Sequence, residues 1–271
     1  MNYKIVSDSA SNLFALPGVE YACVPLKIIS PTREYVDTPD LDVDGMIEDL
    51  KKAKGPTRTS CPNAYEWSQA FEGADHVFAV TITSNLSGSC SAAMQAASER
   101  TNIYVVDTLS AGPEIQLVIE KLRDLIVEGH DFETIKAEIQ TYQTRTHLLF
   151  SLESLTNLAR NGRVSPAVAK IAGVLGLRLV GKASDAGTLE PVHKVRGEKK
   201  AISIIYDEMC KTGYNGGKVC ISHCQNLNAA YSLNALIRAD YPNANVTIVP
   251  CTALCSFYAE SGGMLVGYEG F

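Results

Sequence analysis

The sequence predicts an α/β protein of two domains, a parallel sheet with flanking helices in the first and a mixed α/β arrangement in the second. Two observations carry this. Up to about residue 145, short β-branched or aromatic runs alternate with longer segments of helical period, the order that builds a parallel sheet covered by helices. Beyond residue 146 the style changes, with two apolar runs meeting at the turn-rich Asp185-Ala186-Gly187-Thr188 as in a hairpin. The boundaries are therefore read as 1–145 and 146–271, and because no Pro- or Ser-rich linker separates them, their seam is expected to be extensive.

In order, residues 3–6, 21–28, 76–81 and 103–107 read as buried strands, each ending in polar or turn residues. Asp42 is placed to cap a helix that carries Met46, Ile47 and Leu50 on one face, and residues 62–71 form another. Residues 87–100 and 111–128 are the clearest helices, the latter with Ile115, Val118, Ile119, Leu122 and Ile126 at helical spacing. Asp131 caps a helix over 132–145. Strands follow at 148–151, 177–184, 189–195, 218–223 and 246–249, with helices over 201–209 and 229–240.

Composition narrows the function. The chain has 24 Lys+Arg against 30 Asp+Glu, a formal net charge of −6, and no run of basic residues, which argues against nucleic-acid binding and docking on anionic lipid. The N-terminus meets Asp8 before any apolar run reaches signal-peptide length, and no eighteen apolar residues are consecutive, so a cytoplasmic protein without membrane insertion, its eight cysteines reduced, is expected. Signatures of the phosphate-binding loop, the dinucleotide fold, the zincins and the nucleophile elbow are all missing.

What remains is a set of hydroxyls and glycines at strand ends: Asp8-Ser9-Ala10-Ser11, Thr59-Ser60-Cys61-Pro62, Ser84-Asn85-Leu86-Ser87-Gly88 and Asp107-Thr108-Leu109-Ser110-Ala111-Gly112. Taken singly, each Ser or Thr reads as a helix N-cap. Together, on one rim of a parallel sheet, they describe a neutral donor site for an oxyanion, with Ser87 and the N–H groups that follow it at a helix start.

These residues carry a family resemblance over nearly the whole chain. D-S-x-S at 8–11, T-S-x-P at 59–62, S-x-L-S-G at 84–88, V-D-T at 106–108, L-x-x-L-x-x-x-G-R-V-S ending at Ser165 and K-V-R-G-x-K-K-A at 194–201 occur in order. The sequence resembles the DegV family of bacterial fatty-acid-binding proteins. The resemblance implies a long-chain fatty acid held between two α/β domains, no cofactor, and service as the non-catalytic binding subunit of a fatty acid kinase, presenting the carboxyl group to a separate ATP-dependent subunit. It assigns the ligand carboxyl to Thr59 and Ser87, with Ser60, Gly88 and Ser9 beside them. Neutral donors, with no Arg or Lys in T-S-x-P or S-x-L-S-G, suit a carboxylate that must later be handed to a phosphoryl donor.

The sequence departs from the family at its end. Where a His is usual in T-H-x-G-P-G, this chain reads Cys255-Ser256-Phe257-Tyr258-Ala259-Glu260-Ser261-Gly262-Gly263, with Phe257 or Tyr258 at the His position. The Tyr258 phenol or the Ser256 hydroxyl is the available replacement donor. Arg163, in a G-R turn after a helix, is either a structural cap donor or a contact for a partner. Cys220, Cys224, Cys251 and Cys255, with His223, read as buried small hydrophobes rather than metal ligands, and His76, His130, His147 and His193 as surface or packing residues. The rival from another class is a serine hydrolase or acyltransferase using Ser87, which lacks a visible His–Asp partner.

Overall fold

The computed structural model describes residues 2–165, 167–168 and 176–270. The N-terminal half opens with strand β1 (Tyr3–Asp8), a 3₁₀ turn over Ser9–Ser11, and β2 (Glu20–Val24). The run expected as one strand over 21–28 is two, because Pro25 has no N–H for the ladder and the chain leaves the sheet there. Its second part, β3 (Lys27–Ile29), pairs with β4 (Glu34–Val36). Helix α1 (Val43–Lys52) follows, its first turn capped by Asp42 as expected, then β5 (Arg58–Ser60), which pairs with β3 on its other edge. This small antiparallel sheet, not foreseen in the sequence, sets Thr59 opposite Ile28.

Helix α2 (Ala64–Ala70) starts in a reciprocal capping box of Asn63 and Glu66 and leads to β6 (His76–Thr81), α3 (Ser89–Ala97) and β7 (Ile103–Asp107). The order β2-β1-β6-β7 is parallel throughout, so the C-terminal ends of β1, β6 and β7 share one rim. Alternation along the strands fills both faces: Val6, Val77 and Ala79 join Trp67 and Phe71 of the α2 region, while Ile5, Phe78 and Val80 face the other way. That second face is covered by α4 (Pro113–Val127) and α5 (Phe132–Gln143).

The C-terminal half contains β8 (Thr146–Leu152), the short α6 (Thr156–Arg160), β9 (Leu177–Ala183), β10 (Leu189–Arg196), α7 (Glu198–Lys211), β11 (Val219–His223), α8 (Leu227–Asp240), β12 (Val246–Pro250), α9 (Ala253–Ala259) and β13 (Met264–Glu269). The expected hairpin is β9–β10. The sheet order is β10-β9-β8-β13-β11-β12, mixed because only β11 and β12 run parallel. Neither α9 nor β13 was expected, since seven and six residues are too few to display a period. Even so, β13 lies in the interior of the sheet.

Helix α4 joins the halves. It packs on β1 and β6 of the parallel sheet and also on β8, β11 and β13 of the mixed one, and its residues 113–119 are all buried. Its first turn lies directly on β13 at Gly267, where a Cβ would stand 2.6 Å from the Pro113 carbonyl carbon. At this seam the buried Glu114 carboxylate accepts the hydroxyl protons of Ser110 and, at 2.8 Å, of Thr146 at the start of β8. Burial pushes the Glu114 carboxyl up to about 7, against the pull of both hydroxyls.

A carboxyl with a raised folded-state pKa holds its proton longer in the folded state than in the unfolded one, so its contribution to stability falls as pH rises between the two values. Wild type is therefore expected to lose on the order of 3 kcal/mol more than Glu114→Gln between about pH 4.5 and 7. Urea unfolding across that range measures the difference, and parallel curves for the two proteins would exclude a protonated Glu114 at the seam.

Candidate functional site

Between the two sheets runs a cavity with about 700 Å³ of empty space, open solvent at its mouth included. Most of its wall is aliphatic. β8 contributes Leu148, Phe150 and Leu152 from one face at strand period, β13 adds Leu265 and α9 Leu254, and Ile82 comes from across the seam. The polar groups in this wall are Thr59, Ser87, Arg163, Cys255 and Tyr258.

Thr59 reaches the wall from β5, and its Oγ1 lies 2.7 Å from the phenol oxygen of Tyr258 on α9. Of Phe257 and Tyr258 at the expected His position, and Ser256 as the other replacement donor, Tyr258 is the one in the cavity wall. The Ser256 hydroxyl is spent on the Cys251 carbonyl at 3.1 Å, and Phe257 is buried in the apolar cluster with Leu152 and Leu158. Burial raises the Tyr258 phenol above its usual pKa, with Thr59 and Arg163 opposing, so at neutral pH it carries its proton. Two hydroxyls bonded to one another consume one proton and leave one free to donate.

Ser87 lies just before α3, and its Oγ accepts the Ser89 N–H at 3.3 Å. That bond uses a lone pair and leaves the Ser87 proton available. The start of α3 is fixed from behind by Asp8, whose Oδ2 accepts the Ser89 hydroxyl at 2.7 Å and the Ile82 N–H at 3.0 Å. Burial pushes Asp8 up to about 6, despite the bonds from Ser89 and Ile82. The site thus offers two donor protons, one from Ser87 and one from the Thr59–Tyr258 pair, to a ligand group with two acceptor oxygens.

Arg163 corrects the expectation of a head-group site free of cations. Its guanidinium stands 5.8 Å from the Tyr258 ring centroid in the cavity wall. Two of its nitrogens are committed, Nε to the Leu86 carbonyl at 3.0 Å and Nη1 to the Asn161 carbonyl at 2.5 Å, so it ties the loop before α3 to the end of α6. The other sequence-predicted residues fall outside the wall: the Ser9 Oγ, fully buried, accepts the Leu26 N–H at 3.0 Å, Ser60 Oγ turns to the Cys61 carbonyl, and Gly88 is the N-cap of α3.

Helix α9, which brings Tyr258, is held from the other half of the chain. Asp37 follows β4, is almost wholly buried, and accepts the Ala253 N–H at 2.9 Å and the Leu254 N–H at 3.1 Å. It leaves no mark in the sequence, because its partners, two backbone N–H groups and the Thr252 hydroxyl, are more than two hundred residues away.

Each of the five histidines is engaged elsewhere, His76 on Phe132, His130 with Glu128, His147 by Tyr268, His193 with Glu208 and His223 with the Asn226 N–H. Ser87 has no imidazole to activate it. Cys220, Cys224, Cys251 and Cys255 are buried with thiols pushed up by desolvation, and no cluster of three or more metal-capable side chains occurs among the described residues.

The fold and this wall define an α/β protein built around an apolar cavity that ends on hydroxyls. The chain belongs to the DegV family, whose model matches residues 2–269. A DegV domain-containing protein of Streptococcus pneumoniae strain R6 is 41% identical over 279 residues, covering 99% of each chain. The structure of the S. pneumoniae Fatty Acid Kinase (Fak) B3 protein loaded with linoleic acid superposes with a TM-score of 0.97 at 40% identity over 100% of both chains. A DegV family protein from Eubacterium eligens loaded with heptadecanoic acid gives 0.96 at 38% identity, covering 99% of this chain and 100% of that one.

Replacing Asp37 by Ala strips the first turn of α9 of both its acceptors, and a loss of about 2 kcal/mol is expected from the urea midpoint. Asp37→Asn, which keeps one acceptor oxygen, should fall between. An unchanged midpoint in Asp37→Ala would remove the tether from the account of the site.

Proposed function

We propose that the chain binds one long-chain fatty acid in this cavity, between domains comprising residues 1–145 and 146–271, with the carboxylate at Ser87, Thr59 and Tyr258. It acts in the cytoplasm as the non-catalytic subunit that presents the carboxylate to a separate ATP-dependent kinase. The observation that carries the reading is the wall itself: mostly aliphatic, with two unspent hydroxyl protons in it, one of Ser87 and one of the Thr59–Tyr258 pair. Relatives of about 40% identity that carry linoleic and heptadecanoic acid support it, as does the name of the first. No helix among the described residues is long and apolar enough to cross a membrane.

Energetics divide the labour. About fifteen methylenes at ~0.8 kcal/mol each offer on the order of 12 kcal/mol before ordering costs, whereas a neutral hydrogen bond nets about 1 kcal/mol. The tail sets affinity and the hydroxyls set which end is outermost. In the kinase step a carboxylate oxygen attacks the γ-phosphorus of ATP on the partner, the bond to ADP breaks, and an acyl phosphate forms. Hydroxyl donors hold that oxygen without quenching it, and we assign the contact with the partner to Arg163, whose Nε and Nη1 are held by the Leu86 and Asn161 carbonyls.

Protein made in bacteria is expected to release a fatty acid of roughly sixteen to eighteen carbons on solvent extraction. Absence of any acid, together with a melting temperature unmoved by palmitate, refutes the reading. In titrations with a fluorescent fatty acid, Tyr258→Phe and Ser87→Ala should each weaken binding by roughly five- to tenfold without unfolding. Two silent variants would take the carboxylate away from this place. A fluorophosphonate should leave Ser87 unlabelled, and labelling abolished by Ser87→Ala would favour the hydrolase instead.

A further inference from the structure

The interior of a strand is a poor place for glycine, which adds no packing and loses the most backbone entropy on folding. Gly181 nevertheless lies buried in β9, paired with Phe150 of β8. Its lack of a side chain has a visible use. A Cβ there would stand 2.6 Å from Cε2 of the Phe150 ring and closer still to Cζ, so the ring rests on the bare backbone of β9. Among the described residues, Phe150 is also the only aromatic one that the mixed sheet sends into the cavity wall, between Leu148 and Leu152 on the same face. Reclined, the ring forms a flat part of the wall. A side chain at 181 would displace it, and the cavity that it lines is open space beside it.

We infer that Gly181 is a specificity-determining residue that, through Phe150, keeps the bore wide enough for a bent, cis-unsaturated acyl chain. The inference rests on the fatty-acid reading above. A straight chain needs the same narrow section everywhere, whereas a cis double bond displaces the chain sideways and needs extra width where it bends. One displaced ring would remove that width while leaving room for a straight chain.

Oleate and elaidate isolate the effect, being of identical formula and differing only in the geometry of one double bond. Wild type should bind both within about threefold, and Gly181→Ala should lose at least about tenfold for oleate relative to elaidate, a discrimination of the size that pocket shape supplies. A Cβ at 181 also stands 2.6 Å from the Glu190 carbonyl of β10, so strain in the hairpin has to be separated from the ring. Gly181→Ala/Phe150→Leu keeps that contact and removes the ring, and should bring the ratio back. If Gly181→Ala does not fold, Phe150→Trp fills the same space with Gly181 intact and should reject oleate likewise. An unchanged ratio in folded Gly181→Ala or in Phe150→Trp, or a double variant that stays selective, overturns the inference. Rejection of oleate alone by wild type overturns it too, and failure of wild type to bind either isomer overturns the fatty-acid reading beneath it.

Discussion

Helix α4 is buried from both sides, and this constraint organises the molecule. A helix covering a single sheet needs one apolar stripe, but seven successive residues at its start are removed from water because two sheets close on them. Gly267 permits the close approach to β13, and Glu114 satisfies hydroxyls from both sides of the seam. With α4 as the wedge, the sheets cannot meet along their whole faces, and the space left beside its first turn, lined by Ala111, Leu148 and Leu265, is the cavity. The cavity is thus the remainder of a packing problem, lined by the same residue types as the core around it.

The polar end follows a different logic. Asp8 and Asp37 are buried carboxylates that touch no cavity space, and each fixes the start of a helix that presents a hydroxyl group, Asp8 through Ser89 for α3 and Asp37 for α9. The carboxylates are kept one layer behind the site and hydroxyl donors are placed in front. An ionised side chain lining an apolar cavity would have to be desolvated with every ligand, whereas a carboxylate that accepts backbone N–H groups is compensated permanently. Arg163 is the exception, a cation in the wall itself, and its charge is shared with two carbonyls and an aromatic face.

Much of this was legible before any coordinates. Strand and helix periods over the first 145 residues located the parallel sheet, with 76–81 and 103–107 matching β6 and β7. Thr59 and Ser87 stood out because hydroxyls next to Pro62 and Gly88 form recognisable motifs, and both line the cavity. The field of three residues at or beside the missing His could be reduced to Tyr258 only by seeing which way α9 turns, since a seven-residue helix carries no usable period. Phe150 and Leu265 were invisible as wall residues for a chemical reason: an apolar side chain facing a cavity and one facing another side chain obey the same alternation. Ser9 and Ser60 were drawn toward the site by sequence proximity, and the structure spends them on nearby backbone groups.

The position of β13 has a consequence for how the molecule is made. It is the last of its sheet's six strands to be synthesised, yet it lies inside that sheet, between β8 and β11. Until it arrives, β8–β9–β10 and β11–β12 are separate ribbons, each with an open edge at the place the other must occupy. The parallel sheet has no such dependence, since its four strands are complete by Asp107. On the ribosome the first half can therefore mature while the second waits, exposing the apolar faces of α4 and β8 that will later enclose the cavity. A chain caught in that interval presents an unpaired strand edge beside a greasy surface, a natural client for chaperones.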